Sequence, residues 1–273
     1  GGGGTIVPTA RTPAEPGWVP SKAECPQTEE DRLYCQSLPY REIVGRLLYC
    51  ANSTRIDILT ITSQLARFMS NFGFGHFMGA LRVLRYLMVN PGRSLVYEDL
   101  GADSNRNMLA TYDVDASFAD CPDTARSRYG IIGKLQGAFI DSKTGILKNV
   151  RVSTMDAETG ALAQCTLRVL VTRRYLEDIG FPQYDPTPIG EDNNAALIFS
   201  KRPVSSRRSR HIHVDHHLTR ENQNEFKTIA VFRQPSAKVE SDQLTKNLGF
   251  ILLDKHSTSS MNSPTRVSIE SLD

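Results

Sequence analysis

Leu109-Ala110-Thr111-Tyr112-Asp113-Val114-Asp115 alternates apolar and polar side chains, the two-residue period of a strand with one buried face, and it closes on a carboxylate. A charge at the end of an apolar strand is costly to desolvate unless it is paired or holds a cation. The arrangement recurs downstream. There the short strand Thr187 to Glu191 runs into Asp192-Asn193-Asn194, whose small polar side chains cap the free N–H groups of a following helix. Two strand-end carboxylates in one sheet point to a hard-metal site; either one alone reads as a helix cap or a surface acid.

Working outward, Tyr129 to Ile140 reads as a second strand after the polar turn Cys121 to Arg128, and Val150-Arg151-Val152-Ser153 as a third. A helix from about Asp156 carries Leu162, Cys165, Val169, Leu170 and Leu176 on one stripe and stops at Gly180-Phe181-Pro182. Thr228 to Arg233 makes a further strand and Val239 to Leu248 a last helix, giving a mixed sheet covered by helices. Upstream, three amphipathic helices follow one another. Their stripes are Tyr40, Ile43, Val44, Leu47 and Leu48; then Ile58, Ile61, Leu65, Phe68 and Met69; then Phe77, Leu81, Leu84, Tyr86, Leu87 and Met88, ending at Asn90-Pro91-Gly92. Residues 1–37 open on four glycines and carry Pro8, Pro13, Pro16, Pro20 and Pro26, the composition of an unordered arm, which holds the single tryptophan, Trp18. Beyond Gly249 a Ser-rich tail is expected to be disordered as well.

The 273 residues hold 32 Lys+Arg against 30 Asp+Glu, a net charge of +2, which favours neither nucleic acid nor anionic membrane at the level of the whole chain. No apolar run reaches the length of about 18 residues needed to span a bilayer, and no signal-peptide order opens the chain, so an intracellular, unsecreted protein without a membrane partner is expected. Five cysteines without a C-x-x-C pair are expected as reduced thiols, Cys50 and Cys165 among them as small core residues.

Order and spacing carry more than any single block. Pro39-Tyr40-Arg41-Glu42-Ile43-Val44-Gly45-Arg46-Leu47-Leu48-Tyr49, Ser63-Gln64-Leu65-Ala66-Arg67-Phe68-Met69 and Arg82-Val83-Leu84-Arg85-Tyr86-Leu87 resemble the segment after the polymerase palm in copia-type LTR retrotransposon Pol polyproteins. Asp115-Ala116-Ser117-Phe118-Ala119-Asp120, Arg173-Arg174-Tyr175-Leu176-Glu177, Glu191-Asp192-Asn193, Ser209-Arg210-His211-Ile212 and Leu244-Thr245-Lys246 resemble the ribonuclease H domain that follows in those polyproteins. The resemblance runs over about residues 12–250. It implies an α/β fold, a ribonuclease H-like mixed five-stranded sheet flanked by helices, preceded by a small all-α, thumb- or connection-like module. The expected division is an arm at 1–37, the helical module at 38–104, the nuclease-like domain at 105–250 and the tail at 251–273.

The resemblance also implies a site. The family's four metal-binding and catalytic carboxylates fall on Asp115, Glu158, Asp192 and Asp242. Asp115 would bridge two Mg²⁺, with Mn²⁺ as the alternative ion; Glu158 and Asp192 would hold one and Asp242 help hold the other, for hydrolysis of the RNA strand of an RNA–DNA hybrid. Lys201, Arg202, Arg207, Arg208 and Arg210, with no acid among them, and His211 beside them, are candidates for phosphate contact. His213 and His217 stand one helical turn apart, but Val214 occupies the place of a zincin glutamate, and zinc is not expected. The expected partners are an RNA–DNA hybrid and the remainder of a Pol polyprotein, in a cytoplasmic particle or the nucleus, with no small-molecule cofactor. No Tyr-x-Asp-Asp hairpin is present, so these residues carry no polymerase activity. Three departures from the family support an alternative, a catalytically inactive, decayed remnant that at most binds nucleic acid. Thr159-Gly160 replaces a bulky aromatic residue and methionine, Asp141 stands at a tryptophan position, and Lys238 lies four positions before Asp242.

Overall fold

A computed structural model describes residues 10–97, 109–201 and 213–261. Five strands, β1 (Ala110–Ser117), β2 (Arg128–Leu135), β3 (Ala138–Ile146), β4 (Thr187–Glu191) and β5 (Ile229–Arg233), form one sheet in the order β3-β2-β1-β4-β5. The first three pair antiparallel; β4 joins β1 in parallel and β5 joins β4 in parallel. Parallel neighbours need a crossover. The long helix α5 (Thr154–Asp178) supplies one, and α6 (Asn194–Lys201) with α7 (His213–Asn224) the next.

The period of β1 decides which side chains meet which layer. Ala110, Tyr112, Val114 and Ala116 enter a core with Ala157, Ala161, Leu162, Cys165 and Val169 of α5. The alternation sends Asp113 and Asp115 to the other face. Against that face pack α3 (Leu59–Ala66) of the helical module, backed by α2 (Tyr40–Ser53) and α4 (Phe74–Val89), and the C-terminal residues. Ile132 and Phe139 of the sheet, together with Leu244, Leu253 and Met261, share one core cluster with Tyr40, Leu47, Ile61, Leu65 and Val83. The module and the sheet are therefore packed as one body.

Several expectations are corrected. Tyr129 to Ile140 is two strands, because Gln136 (φ 52°) and Gly137 (φ 84°) are both left-handed and close a two-residue hairpin. Val150 to Ser153 is not a strand but the entry to α5. There Ser153 Oγ accepts from the Asp156 N–H at 3.1 Å and Asp156 Oδ2 accepts from the Val152 N–H at 3.1 Å, a reciprocal cap. The expected helix from Val239 to Leu248 is replaced by a short 3₁₀ turn, Glu240–Leu244. Thr60 Oγ1 donates to Gln243 O at 2.7 Å and Thr144 Oγ1 to Leu244 O at 2.6 Å, so side chains from other layers take the carbonyls an α-helix would use.

The arm and the tail are ordered where described. Ala10 and Ala14 are buried, α1 (Glu29–Gln36) is capped by Thr28, and Trp18 lies over Gly79 with its Nε1 donating to Glu24 Oε1 at 3.1 Å. The Lys22 N–H donates to Asp123 Oδ1 at 2.8 Å, tying the arm to the loop after β1. Proline-rich composition signalled an absence of repeating structure, and docking on a preformed helical surface supplies the order. In the tail, α8 (Phe250–Met261) buries Leu253 and Met261, and its serines serve a buried amide. Gln243 Nε2 donates to Ser260 Oγ at 2.8 Å, and Ser257 Oγ donates to Gln243 Oε1 at 3.0 Å.

Two of the apparent defects are filled. Asp141 accepts from Arg168 Nε at 2.8 Å. At Gly160 a Cβ would lie 2.8 Å from Arg151 Nη2 and 3.0 Å from Leu147 Cδ1, and Arg151 is held there by Asp156 (3.1 Å) and Asp215 (2.7 Å). Restoring the family's side chain with Gly160→Met is therefore expected to destabilise the chain by about 1–3 kcal/mol through overpacking, despite its better helix propensity. A urea midpoint at or above wild type would refute this.

Candidate metal centre

Three elements deliver the acids. Asp115 projects from the C-terminal half of β1, Glu158 from the second turn of α5, and Asp192 from the residue after β4. One carboxylate oxygen from each lies within 4.8 Å of the others. Asp115 and Glu158 are buried and Asp192 half-buried, so the cluster reaches solvent at Asp192. Sheet order makes this possible, since β1 and β4 are parallel neighbours whose chain ends emerge on the same edge.

Asp242 stands apart from the three. Lys246 Nζ lies 2.5 Å from Asp242 Oδ1 and 3.8 Å from Asp115 Oδ2, and Thr245 Oγ1 donates a short hydrogen bond to Asp115 Oδ2. The lysine that reaches Asp242 is thus Lys246, not Lys238. Burial works against the Lys246 charge, but Asp115 and Asp242 outweigh it and hold its pKa above the ordinary value. Thr245 and Lys246, motif residues in the sequence, both touch the site, which their spacing alone does not show. Glu191, not among the acids the family order nominates, is fully buried at the end of β4, with Oε1 accepting from the Asn193 N–H at 2.9 Å. The available signal was an acidic pair, Glu191-Asp192, where the first member ends a buried strand.

The carboxylates repel one another in a dry setting. Burial pushes Asp115 up to about 6, with Lys246 and Thr245 pulling it back, and burial followed by the charge of Glu191 raises Glu158. Burial also raises Glu191. On the same face Asp113 is pushed up to about 6 by burial and by Glu240. A carboxyl whose pKa is raised by folding contributes most to stability below its unfolded pKa, and that contribution is lost as pH rises through the folded value. From Asp113 and Asp115 the metal-free chain should therefore lose on the order of 2–3 kcal/mol each between about pH 4 and pH 6. Melting temperatures across that window test this, and the loss should shrink in the Asp113→Asn, Asp115→Asn double variant.

Of the candidate phosphate contacts, Lys201 is exposed at the end of α6. Arg202, Arg207, Arg208, Arg210 and His211 lie outside the described residues. His216 is buried, its Nε2 2.6 Å from Phe199 O and its ring 4.2 Å from the Phe199 ring, and His217 Nδ1 lies 3.3 Å from Arg220 Nη2. Among the described residues no helix is long and apolar enough to cross a membrane.

A five-stranded mixed sheet in this order, with the long crossover helix and strand-end acids, is the ribonuclease H-like class of α/β fold. The chain belongs with the copia-type retrotransposon Pol polyproteins. It is 29% identical over 226 residues to the Retrovirus-related Pol polyprotein from transposon TNT 1-94 of Nicotiana tabacum, covering 83% of this chain and 16% of that protein. It is 30% identical over 209 residues to the Pol polyprotein from transposon RE1 of Arabidopsis thaliana, covering 77% and 14%. The chain thus spans about one seventh to one sixth of the length of these relatives. No family model matches. Among solved structures, a ribonuclease H1 isolated from compost aligns with a TM-score of 0.40 and 12% identity, covering 55% of this chain and 98% of that one. The ribonuclease H1 of Halobacterium salinarum aligns with 0.36 and 14%, covering 50% and 94%.

Proposed function

We propose that this chain hydrolyses the RNA strand of RNA–DNA hybrids with divalent metal ions, leaving 3′-hydroxyl and 5′-phosphate ends. The observation that carries the reading is the convergence of Asp115, Glu158 and Asp192 to within 4.8 Å. The donors are all hard carboxylate oxygens, and Glu158 Oε2 is buried without a hydrogen-bond partner, which suits Mg²⁺ or Mn²⁺. Asp115, Glu158 and Asp192 would hold one ion, and Asp115 with Asp242 a second once Lys246 releases Asp242. Two such ions, when bound, stabilise the attacking water and the leaving oxygen of a phosphodiester.

The remaining work falls to the chain's own residues. Thr245 orients Asp115, the buried walls around Glu158 exclude bulk water, and Lys246, with its side chain 47% exposed, offers a cation to an incoming phosphate. Lys201 and the basic residues after it would follow the backbone of the hybrid, with salt-dependent affinity. The setting is intracellular, within a larger Pol assembly. Purified chain with labelled hybrid and Mg²⁺ should release short RNA products, and Asp192→Asn should release none. Salt-sensitive binding without turnover in the wild type would instead favour the inactive remnant. Two of the features behind that alternative, Asp141 and Gly160, are compensated in the fold.

A further inference from the structure

Glu191 is the one fully buried acid of the site that the proposed reaction leaves without a task. It ends β4, next to Asp192, with 0% of its surface exposed. One oxygen is occupied, Oε1 accepting from the Asn193 N–H, while Oε2 is buried without any hydrogen-bond partner. Glu158, 6% exposed on the facing helix, likewise leaves Oε2 without a partner. The two acids act on each other, Glu191 being the strongest charge felt by Glu158, and Asp115 and Asp192 follow. The one basic group among the influences on Glu158 is Lys246, the weakest of them, whose ammonium is bonded to Asp242. Interior carboxylate oxygens are normally satisfied, and side-by-side unpartnered ones are a standing penalty unless something cationic, or the water it carries, completes them.

Resting on the metal-dependent reading above, we propose that Glu191 is a positioning residue of the metal centre, a fifth carboxylate that strengthens the hold of Asp115, Glu158 and Asp192 on a divalent cation from the sheet side. It is not one of the three whose oxygens converge within 4.8 Å, so it acts through its neighbours rather than as a member of that group. The arrangement is built into the backbone, because the Asn193 N–H fixes Oε1 and the burial pattern of β4 directs the side chain inward. The buried, unpartnered oxygen that is a penalty in the metal-free chain is drawn on once a cation is present.

The test is thermal melting of the full chain in EDTA and across a Mg²⁺ titration, for wild type, Glu191→Gln, Glu191→Asp and Asp192→Asn. Glu191→Gln keeps the shape and removes the charge. It should melt at or a few degrees above wild type in EDTA, while needing at least tenfold more Mg²⁺ for half-maximal stabilisation. Glu191→Asp retains the charge and should recover most of the Mg²⁺ affinity, which a purely steric role would not produce. If Glu191→Gln matches the wild-type Mg²⁺ response while Asp192→Asn loses it, the role of Glu191 is refuted and the metal site stands. If Glu191→Gln melts below wild type in EDTA, the carboxylate is structural and the inference fails. A wild type that does not respond to Mg²⁺ or Mn²⁺ removes the metal-dependent reading and this inference together.

Discussion

Asp115→Asn is expected to reduce hybrid cleavage by about 10³-fold or more, because each 1.36 kcal/mol of lost transition-state stabilisation is tenfold in rate and a carboxylate shared by the metal centre supplies several. The substitution is nearly isosteric. The asparagine carbonyl can still accept from Thr245 Oγ1, so the 3₁₀ turn that covers the site keeps its anchor. What disappears is the charge that both Lys246 and a bound ion require. In the absence of metal the same variant should be more stable than wild type at neutral pH, since Asp115 is 5% exposed and its burial, which pushes it up to about 6, opposes ionisation. Opposite signs in activity and metal-free stability would mark Asp115 as a group kept for function. Retention of a tenth of wild-type cleavage would refute its assignment, and a lower melting temperature in EDTA would refute the electrostatic account.

Asp57→Ala should produce the largest loss of stability, about 3–5 kcal/mol, because it strands a buried guanidinium. Arg55 donates to both oxygens of Asp57, at 2.9 and 2.8 Å, and to Asn90 O at 2.9 Å; Tyr86 Oη donates to Asp57 Oδ2 at 2.7 Å. The Asp57 side chain is 0% exposed and that of Arg55 8%. This network joins the end of α2, the start of α3 and the end of α4, so one substitution loosens the whole helical module. Replacing both charges with apolar residues of similar volume should cost much less than Asp57→Ala alone. Urea unfolding distinguishes the cases, and a loss below 1 kcal/mol for Asp57→Ala would mean that water reaches Arg55. The module shares its core with Leu244, two residues from Asp242. The variant should therefore also weaken the Mg²⁺ response at temperatures near its melting point.

How much was legible differs by element. The stripes of α2, α3 and α4 and the proline-glycine stop after Asn90 could be read directly, since apolar periodicity and steric punctuation are local. The hairpin between β2 and β3 was missed because only its glycine is a usual left-handed residue, and Gln136 gives no such signal. The capping of α5 by Ser153 and Asp156 was readable in principle, but the apolar Val150 and Val152 drew the segment toward a strand. In the site, Asp115, Glu158 and Asp192 could be nominated from strand ends and family order. Asp242 was nominated in the same way, yet its nearest charge is Lys246, which an α-helical reading of Val239 to Leu248 could not place.

Composition misread the two ends for one physical reason. The arm at 10–37 is rich in proline and the helix at 250–261 in serine, and each is ordered by a surface that distant residues create: Gly79 beneath Trp18, and Gln243 between Ser257 and Ser260. The sequence by itself determined the local conformations, the α/β class and the acids with reason to matter, because helix period, strand alternation and desolvation cost depend on near neighbours. Only the tertiary structure decided that three of those acids meet while the fourth is held by a lysine, and that Glu191 stands buried behind them. Those encounters depend on the parallel crossover that brings β4 against β1, pairing Tyr112 with Ile189 and Asp113 with Gly190, residues 77 positions apart.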